Sequence, residues 1–572
     1  MDAVTVTGLS FAYPGGNAVT TTEQGEKPGV KSGGTPQVKP QEESGGTPRA
    51  ESALALTDIS FGVTAGQRVL LCGMTGSGKS TLLRCLKPEL RPSGAFSGSV
   101  ALEGESVDEL DPQQSASAIG FVLQDPHQQI VMDNVRAELA FGLENLSVAP
   151  EAIHRRIAEI ANFFGINTWL DKSTDALSAG QKQVVNLAAV IAMQPKLLLL
   201  DEPTAQLDPI ASKDFTALLQ RVNEELGITV IIIEHQIEEV LSASDLVLFL
   251  QEGRLALCGS PQEFISYLAR TTSPFVTALP YATRLALENT QHSNHTEDDV
   301  WPLDVKEGRQ WLRRHSAASG LDEPPSQKTV GPAQTTRLTD LREPVLSAQR
   351  IWYRYDRDEP YVLRELSLDV AAGQILGIVG GNGSGKSTLL NLLAGVSTPQ
   401  HGRIRSAAGL KRAALPQDST TLFLRDTLLD DVMSFAPRFG FTRAEALALL
   451  ERLELSCYVD THPFDLSGGE QQKAALAKLV LTGANLLLLD EPTKGIDTFA
   501  QRDLAAILDE QRQSGCAIVL VSHDLEFVSR CAERCVMLFD GTLIGADSTA
   551  NFFASTMFYT TAAQRLTRGI TT

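Results

Sequence analysis

The sequence predicts an α/β protein made of two copies of one phosphate-binding domain, each built on a parallel sheet layered with helices. Three observations carry that expectation. The chain repeats itself: GMTGSGKSTLL at 73–83 returns as GGNGSGKSTLL at 380–390, LSAGQKQ at 177–183 as LSGGEQQ at 466–472, and LLLLDEPTAQLD at 197–208 as LLLLDEPTKGID at 486–497. Ser178 to Asp201 and Ser467 to Asp490 both span 23 positions, so the same elements join the motifs in both copies. Short apolar runs such as Leu197–Leu200 and Leu486–Leu489 read as strands buried on both faces, the pattern of a central parallel strand.

At 572 residues the chain is too long for a single ordinary core. Its hydrophobic fraction of 43% and charged fraction of 21% are those of globular material. A net charge of −20 argues against a general affinity for nucleic acid, which needs basic stripes to displace counterions. The apolar runs fall well short of the ~18–20 residues that cross a bilayer, and the N-terminus lacks a basic region followed by an apolar core, so a cytosolic chain is expected. Seven cysteines without a paired CxxC unit fit reduced, mostly buried thiols better than disulfides or zinc.

The copies differ in one place. Tyr13 stands 66 positions before Lys79, whereas Tyr355 stands 31 before Lys386. The surplus is the stretch 15–52, rich in Gly, Thr, Pro, Lys and Glu with SGGTP twice and almost no large apolar residue, which reads as a disordered loop inserted between two strands. A second stretch from Arg313 to Pro344, with Pro324-Pro325 and no sustained periodicity, reads as the linker between halves. The expected division is a first domain at 1–270, its C-terminal extension and linker at 271–344, and a second domain at 345–572.

The chemistry lies in the repeats. Gly73-x4-Gly78-Lys79-Ser80 and Gly380-x4-Gly385-Lys386-Ser387 each follow a short apolar run and precede a helical pattern, the context a phosphate-binding loop requires. Thr75, Gly76, Ser77, Gly78 and Thr81, with Asn382, Gly383, Ser384, Gly385 and Thr388, complete the two cradles. Their backbone N–H groups converge on phosphate at a helix N-terminus, Lys79 or Lys386 reaches the terminal phosphates, and Ser80 or Ser387 offers a hydroxyl to Mg²⁺. Asp201 and Asp490 end buried strands where open α/β sheets place ligands, and can hold the metal; Glu202 and Glu491 are the natural general bases for water attacking the γ-phosphate.

Ser178-Ala179-Gly180-Gln181 and Ser467-Gly468-Gly469-Glu470 are capping boxes that open apolar-faced helices. A capped N-terminus with small neighbours also suits an anion, and repetition at fixed distance before the LLLLD strand favours that use. His235 and His523 end apolar strands at similar distances beyond Glu202 and Glu491, which points to paired roles at the γ-phosphate. Gln124 and Gln417 follow apolar runs and are candidates for sensing Mg²⁺ or the attacking water.

Together these residues resemble the ATP-binding-cassette (ABC) ATPases, matched twice over most of the chain. The resemblance assigns Tyr13 and Tyr355 to the A-loops, Gln124 and Gln417 to the Q-loops, Asp208 and Asp497 to the D-loops and His235 and His523 to the switches. It implies a RecA-like α/β core with an antiparallel β subdomain and a helical subdomain in each half, ATP and Mg²⁺ as cofactors, and a head-to-tail pair. In such a pair Ser467, Gly469 and Glu470 face the first phosphate loop, and Ser178, Gly180 and Gln181 the second. The stretch DPHQQIVMDNVRAELAFGLENL at 125–146 looks like the energy-coupling-factor ATPases of vitamin and metal uptake, and LPQDSTTLFLRDTLLDDV at 415–432 resembles the partner half of fused forms. That subfamily implies a peripheral ATPase on the cytoplasmic face of the membrane, partnered by a transmembrane coupling subunit and a substrate-binding membrane subunit, with no nucleic acid. The rival is a soluble tandem cassette protein acting on ribosomes, whose linker would be strongly basic; here acidic residues slightly outnumber basic ones between Thr277 and Pro344. Ala179, in place of the usual first signature glycine, is a departure from the family.

Overall fold

The computed structural model describes residues 2–14, 54–271, 273–290, 300–319, 343–498, 500–557 and 559–568. Each half carries a six-stranded sheet of the same order. In the first half it runs Ile119–Val122, Leu197–Asp201, Thr229–Ile233, Arg68–Gly73, Leu246–Gln251, Arg254–Gly259, parallel except for the last pair. The second half repeats it as Arg412–Leu415, Leu486–Asp490, Ala517–Val521, Ile375–Val379, Arg534–Phe539, Thr542–Ser548. Successive residues of a strand point to opposite faces, so the leucine runs feed two cores at once: Leu198 and Leu200 pack on the helical side, Leu197 and Leu199 toward the smaller antiparallel sheet.

That smaller sheet is antiparallel in both halves and holds Tyr13 or Tyr355 just beyond the end of one strand. Stretch 15–52 lies outside the described residues, but the strands flanking it, Asp2–Ala12 and Leu54–Thr64, pair with Ala12 opposite Leu54. In the second half the corresponding hairpin closes with Tyr353 opposite Leu363. The insertion therefore replaces a hairpin turn whose ends are already joined by the ladder. Deleting Gly16–Glu51 is expected to leave ATP affinity within about twofold, because long surface insertions change closure entropy only slowly. Titration with a fluorescent nucleotide checks this; a collapse of binding would show that the insertion packs on the domain.

The linker expectation needs correction at its start. The helix Val305–Ser319 runs through Arg313, and with the helix Tyr281–Thr290 it packs against the C-terminal helix Ala562–Thr567. Trp301, Leu303 and Trp311 join the first half's core. At the closest approach stands Gly308, on which an added Cβ would fall 2.5 Å from the Cβ of Ala282 and 2.6 Å from Leu566. The rest of the linker, 320–342, lies outside the described residues.

Among the described residues no helix is long and apolar enough to cross a membrane. All seven cysteines are free, and Cys72, Cys85, Cys516 and Cys535 are buried.

Candidate functional site

Both phosphate loops join a buried sheet strand to a helix, Lys79–Cys85 or Lys386–Ala394. The residue before each helix is a left-handed glycine, Gly78 at φ 97° and Gly385 at φ 99°. A Cβ there would also fall 2.7 Å or 2.9 Å from a leucine side chain of the antiparallel sheet, so both conformation and space require glycine. Lys79 Nζ donates to the carbonyls of Gly73 and Met74 at 2.9 Å, and Lys386 Nζ to those of Gly380 and Gly381 at 3.0 and 2.9 Å. Each ammonium thus curls over its own loop with one N–H left to offer.

Ser80 Oγ donates to Asp201 Oδ1 at 2.9 Å, and Ser387 stands close enough to Asp490 to favour its ionised form. Burial pushes both aspartates upward, against the pull of Arg84 and Lys79 on Asp201 and of Lys386 and Lys494 on Asp490. The hydroxyls of Ser77 and Ser384 are buried with no hydrogen-bond partner. A hydroxyl beside a carboxylate, a buried ammonium and orphaned loop donors suit a divalent cation and a polyphosphate. Tyr13 OH shares a hydrogen bond with Thr81 Oγ1 at 2.9 Å, and Tyr355 OH with Thr388 Oγ1 at 2.8 Å. Both tyrosines are exposed, each standing edge-on to a neighbouring aromatic.

The two glutamates adopt left-handed backbone conformations, Glu202 at φ 47° and Glu491 at φ 51°. Such a conformation costs of order 1–3 kcal/mol and recurs where function demands it. The sequence reading missed this strain. Its one signal was the proline at 203 and 492, which disfavours the right-handed helical region for the residue before it.

Around the carboxylates the halves diverge. Glu202 accepts from Gln124 Nε2 at 2.8 Å and lies 2.7 Å from His235 Nε2. Burial opposes its ionisation, but His235 and Lys79 outweigh that and hold the carboxyl below its usual range. Glu491 lies 3.1 Å from His523 Nε2 and accepts the His523 backbone N–H at 3.0 Å. Burial pushes Glu491 up to about 8 and His523 down to about 3. Gln417 is exposed and does not make the bond that Gln124 makes. A further buried carboxylate, Glu234, accepts from the Thr204 amide and hydroxyl at 3.1 and 2.8 Å and is raised to about 8 by burial. Ser522 takes its place in the second half. The acid at the end of Ile231-Ile232-Ile233 was the overlooked signal.

The capping boxes form as expected, with Ser178 and Ser467 capping helices Ala179–Ala192 and Gly468–Val480 and Gln181 and Glu470 reaching back. A Cβ on Gly469 would fall 2.3 Å from the Gly495 carbonyl, whereas one on Gly468 would meet nothing within 4 Å. Ala179 occupies the corresponding free position, so that departure is harmless to packing. Gly180 is closer pressed, its added Cβ 3.3 Å from Ala211.

The halves meet across these loops. The Asn382 amide donates to Asp208 Oδ2 at 3.1 Å, and Asn382 Nδ2 reaches the Gln206 carbonyl at 3.4 Å. Reciprocally, Asp497 lines one small cavity with Gly73 and Met74 of the first phosphate loop and lies close enough to Lys79 to favour its charge. Burial opposes ionisation of Asp497, but the Ala500 amide, which donates to it at 2.8 Å, and the charges around it outweigh that. Each half therefore presents the aspartate beyond its own Asp-Glu pair to the other half's phosphate loop. Gly469 packs on Gly495, which puts the second signature helix in direct contact with the loop that carries Asp497. A small cavity between halves is lined by Gly73, Met74, Glu234, His235, Asp497 and Thr498, among others.

Comparison with known proteins agrees with this architecture. The family description "ABC transporter" matches residues 56–205 and 363–494. A Bacillus cereus (strain ATCC 10987 / NRS 248) protein named "Putative ABC transporter ATP-binding protein" is 39% identical over 533 residues, 91% of this chain and 93% of its own. A Bacillus subtilis (strain 168) protein named "Putative HMP/thiamine import ATP-binding protein YkoD" is 30% identical, covering 87% of this chain and 89% of its own. Among solved structures, the archaeal ribosome recycling factor aABCE1 superposes with TM-score 0.52 over 86% of this chain and 87% of that one; at 19% identity the likeness is one of fold.

Proposed function

The chain belongs to the family of ABC transporter ATP-binding proteins, and from that premise we propose that it supplies both ATP-hydrolysing halves of an importer of the energy-coupling-factor type. The reciprocal approaches, Asp208 to the Asn382 amide and Asp497 to the first phosphate loop beside Lys79, carry the reading, since they let one chain assemble two composite sites without a second copy. Transport is favoured over work on ribosomes by the relatives' names, one of which is an import ATPase, and by an interhalf segment with no basic excess.

In each site the chain's own groups divide the work. Lys79 and Lys386 hold the terminal phosphates, Glu202 and Glu491 take a proton from the attacking water, and His235 and His523 orient those glutamates and the γ-phosphate. Ser80 with Asp201, and Ser387 with Asp490, are the residues that would hold Mg²⁺. Bound there, the metal neutralises charge on the phosphates. The membrane subunits, a vitamin or metal ion as cargo, and a peripheral place on the cytoplasmic face belong to the same reading.

Two measurements test it. Saturating ATP is expected to load two nucleotides per chain, and one per chain would refute the two-site arrangement. Expressed with its partners, the chain is expected to co-purify with a membrane protein; recovery with ribosomes would reverse the reading in favour of the rival.

The divergent glutamates add a pH dependence. A general base works when ionised, so the raised Glu491 gains activity as pH climbs through its own value, while Glu202 is ionised already at neutrality. In Glu202→Gln, which leaves the second site, turnover is expected to rise several-fold between about pH 7 and 9; in Glu491→Gln it stays nearly flat. If either parent is silent because the sites fire in concert, single-site nucleotide trapping over the same pH range is the readout. Identical profiles would contradict the asymmetry.

A further inference from the structure

Both halves end in the same short pattern, Ala282-Thr283-Arg284-Leu285 and Ala563-Gln564-Arg565-Leu566, on the helices Tyr281–Thr290 and Ala562–Thr567 that pack together at the seam. Both halves also place a glutamate three residues beyond the switch histidine, Glu238 after His235 and Glu526 after His523. The fold brings the two patterns together. Glu526 Oε1 accepts the Ala562 N–H at 2.6 Å, tying the second switch helix to the C-terminal helix. Arg309, from the first half's extension, donates through Nε to the Arg565 carbonyl at 3.1 Å, with Nη2 on the same oxygen. Gly308 beside it seats the first half's extension directly on Leu566.

Glu238, on the short helix just after His235, is partly buried within Coulombic reach of Arg565, Glu526 and Arg284 together, with Glu239 adjoining. Four groups, one arginine and one glutamate from each half, thus share one partly buried spot between the two switches. The Nε atoms of both Arg284 and Arg565 are buried and have no hydrogen-bond partner. Among the described residues no direct ion pair closes between these arginines and glutamates. Each guanidinium therefore keeps a buried donor unspent near Glu238, with Arg565 acting on that carboxylate more strongly than Arg284, and a cluster of unspent donors between two switch helices is the kind of element that both sites can bias.

We infer that Arg284 and Arg565 are positioning residues that link the two switches: through Glu238 and Glu526 they pass the state of His235 to His523 and back, so that the two ATP sites act cooperatively. Both lie on the seam helices, outside the phosphate loops and the Asp-Glu pairs. This rests on the two-site ATPase reading but adds a route between sites separate from the D-loop contacts.

The test uses the full chain purified with its membrane partners, comparing wild type with Arg284→Ala/Arg565→Ala, Arg284→Lys/Arg565→Lys, Glu238→Gln and Glu526→Gln. Wild type is expected to hydrolyse ATP with a Hill coefficient above one. The double alanine variant is expected to lower kcat about five- to tenfold and bring the Hill coefficient to one, with the ATP concentration at half-saturation moved by less than about twofold. The lysine pair restores most of the cooperativity. If the alanine pair fails to fold, the two glutamine variants, which remove charge while keeping an acceptor, are expected to show the same loss. Unchanged kcat and Hill coefficient in the alanine pair, or in the glutamine variants where that pair does not fold, would overturn the inference, as would a non-cooperative wild type or a loss of activity that follows thermal stability alone. A wild type that binds two ATP without hydrolysing would sink the ATPase reading instead, leaving the cluster to be judged on cooperativity of binding.

Discussion

Glu202→Gln is expected to lower turnover at the first site by about 10²–10⁴, the usual worth of a general base. Glu202 sits on a strained residue at a buried strand end, held by Gln124 and His235, so glutamine fits the space and the loss is one of chemistry. Adding Ser467→Ala should then change little, because groups acting as one unit are not additive. Adding Ser178→Ala instead should disable the second site too. The reason is geometric: Asp497 of the second half lines one cavity with Gly73 and Met74 of the first phosphate loop, and Gly469 packs on the same loop as Asp497, so Ser467 belongs with Lys79. Steady-state ATPase rates of the single and double variants measure this, with nucleotide trapping if the parent is silent. Coupling of Glu202 to Ser178 rather than Ser467 would overturn the head-to-tail assignment.

Lys478→Met is expected to destabilise the second half by about 3–5 kcal/mol, because it strands a buried carboxylate. Lys478 and Asp431 are 2.6 Å apart and both side chains are fully buried. Lys478 also donates to the Leu422 carbonyl at 2.6 Å and lies 4.5 Å from the Phe435 ring centroid, while Asp431 accepts the Leu424 N–H at 2.7 Å. Replacing both partners, as Asp431→Leu/Lys478→Met, should recover much of the loss, since a buried pair and a well-packed apolar pair are often near balance. Recovery stays incomplete because Leu424 N–H loses its acceptor. Urea denaturation of the three chains checks the order; a single variant as stable as wild type would show that water reaches the pair. The first half does without such a lysine. Glu138 holds the Val131 and Met132 N–H groups at 3.0 and 2.8 Å, and the position matching Lys478 is Ala189.

Much of the fold was legible because its signals are local. A buried parallel strand must be apolar throughout, a phosphate loop must carry glycine where φ is positive, and a helix start must supply its own cap, so LLLLD, GxxxxGKS and Ser-x-x-Gln/Glu declare strand, loop and helix wherever they occur. Their repetition established two domains, whereas the contacts of Ser80 with Asp201 and of His235 with Glu202 came only with the fold, which brings the ends of those elements together.

What only the tertiary structure decided depends on groups far apart in the chain. Glu202 and Glu491 occupy the same motif yet titrate in opposite directions, because burial and the charges around each are set by the packed fold and not by neighbours in sequence. That the helix Val305–Ser319 runs on past Arg313 was decided by what seats it, Gly308 against Ala282 and Leu566 and Trp311 against the first half's core, contacts with segments distant in the chain. The gathering of Arg284, Arg565, Glu238 and Glu526 likewise joins segments nearly 330 residues apart. Sequence determines which elements form and which chemical groups they carry; the electrostatic field acting on those groups is a sum over space, and exists only once the chain has folded.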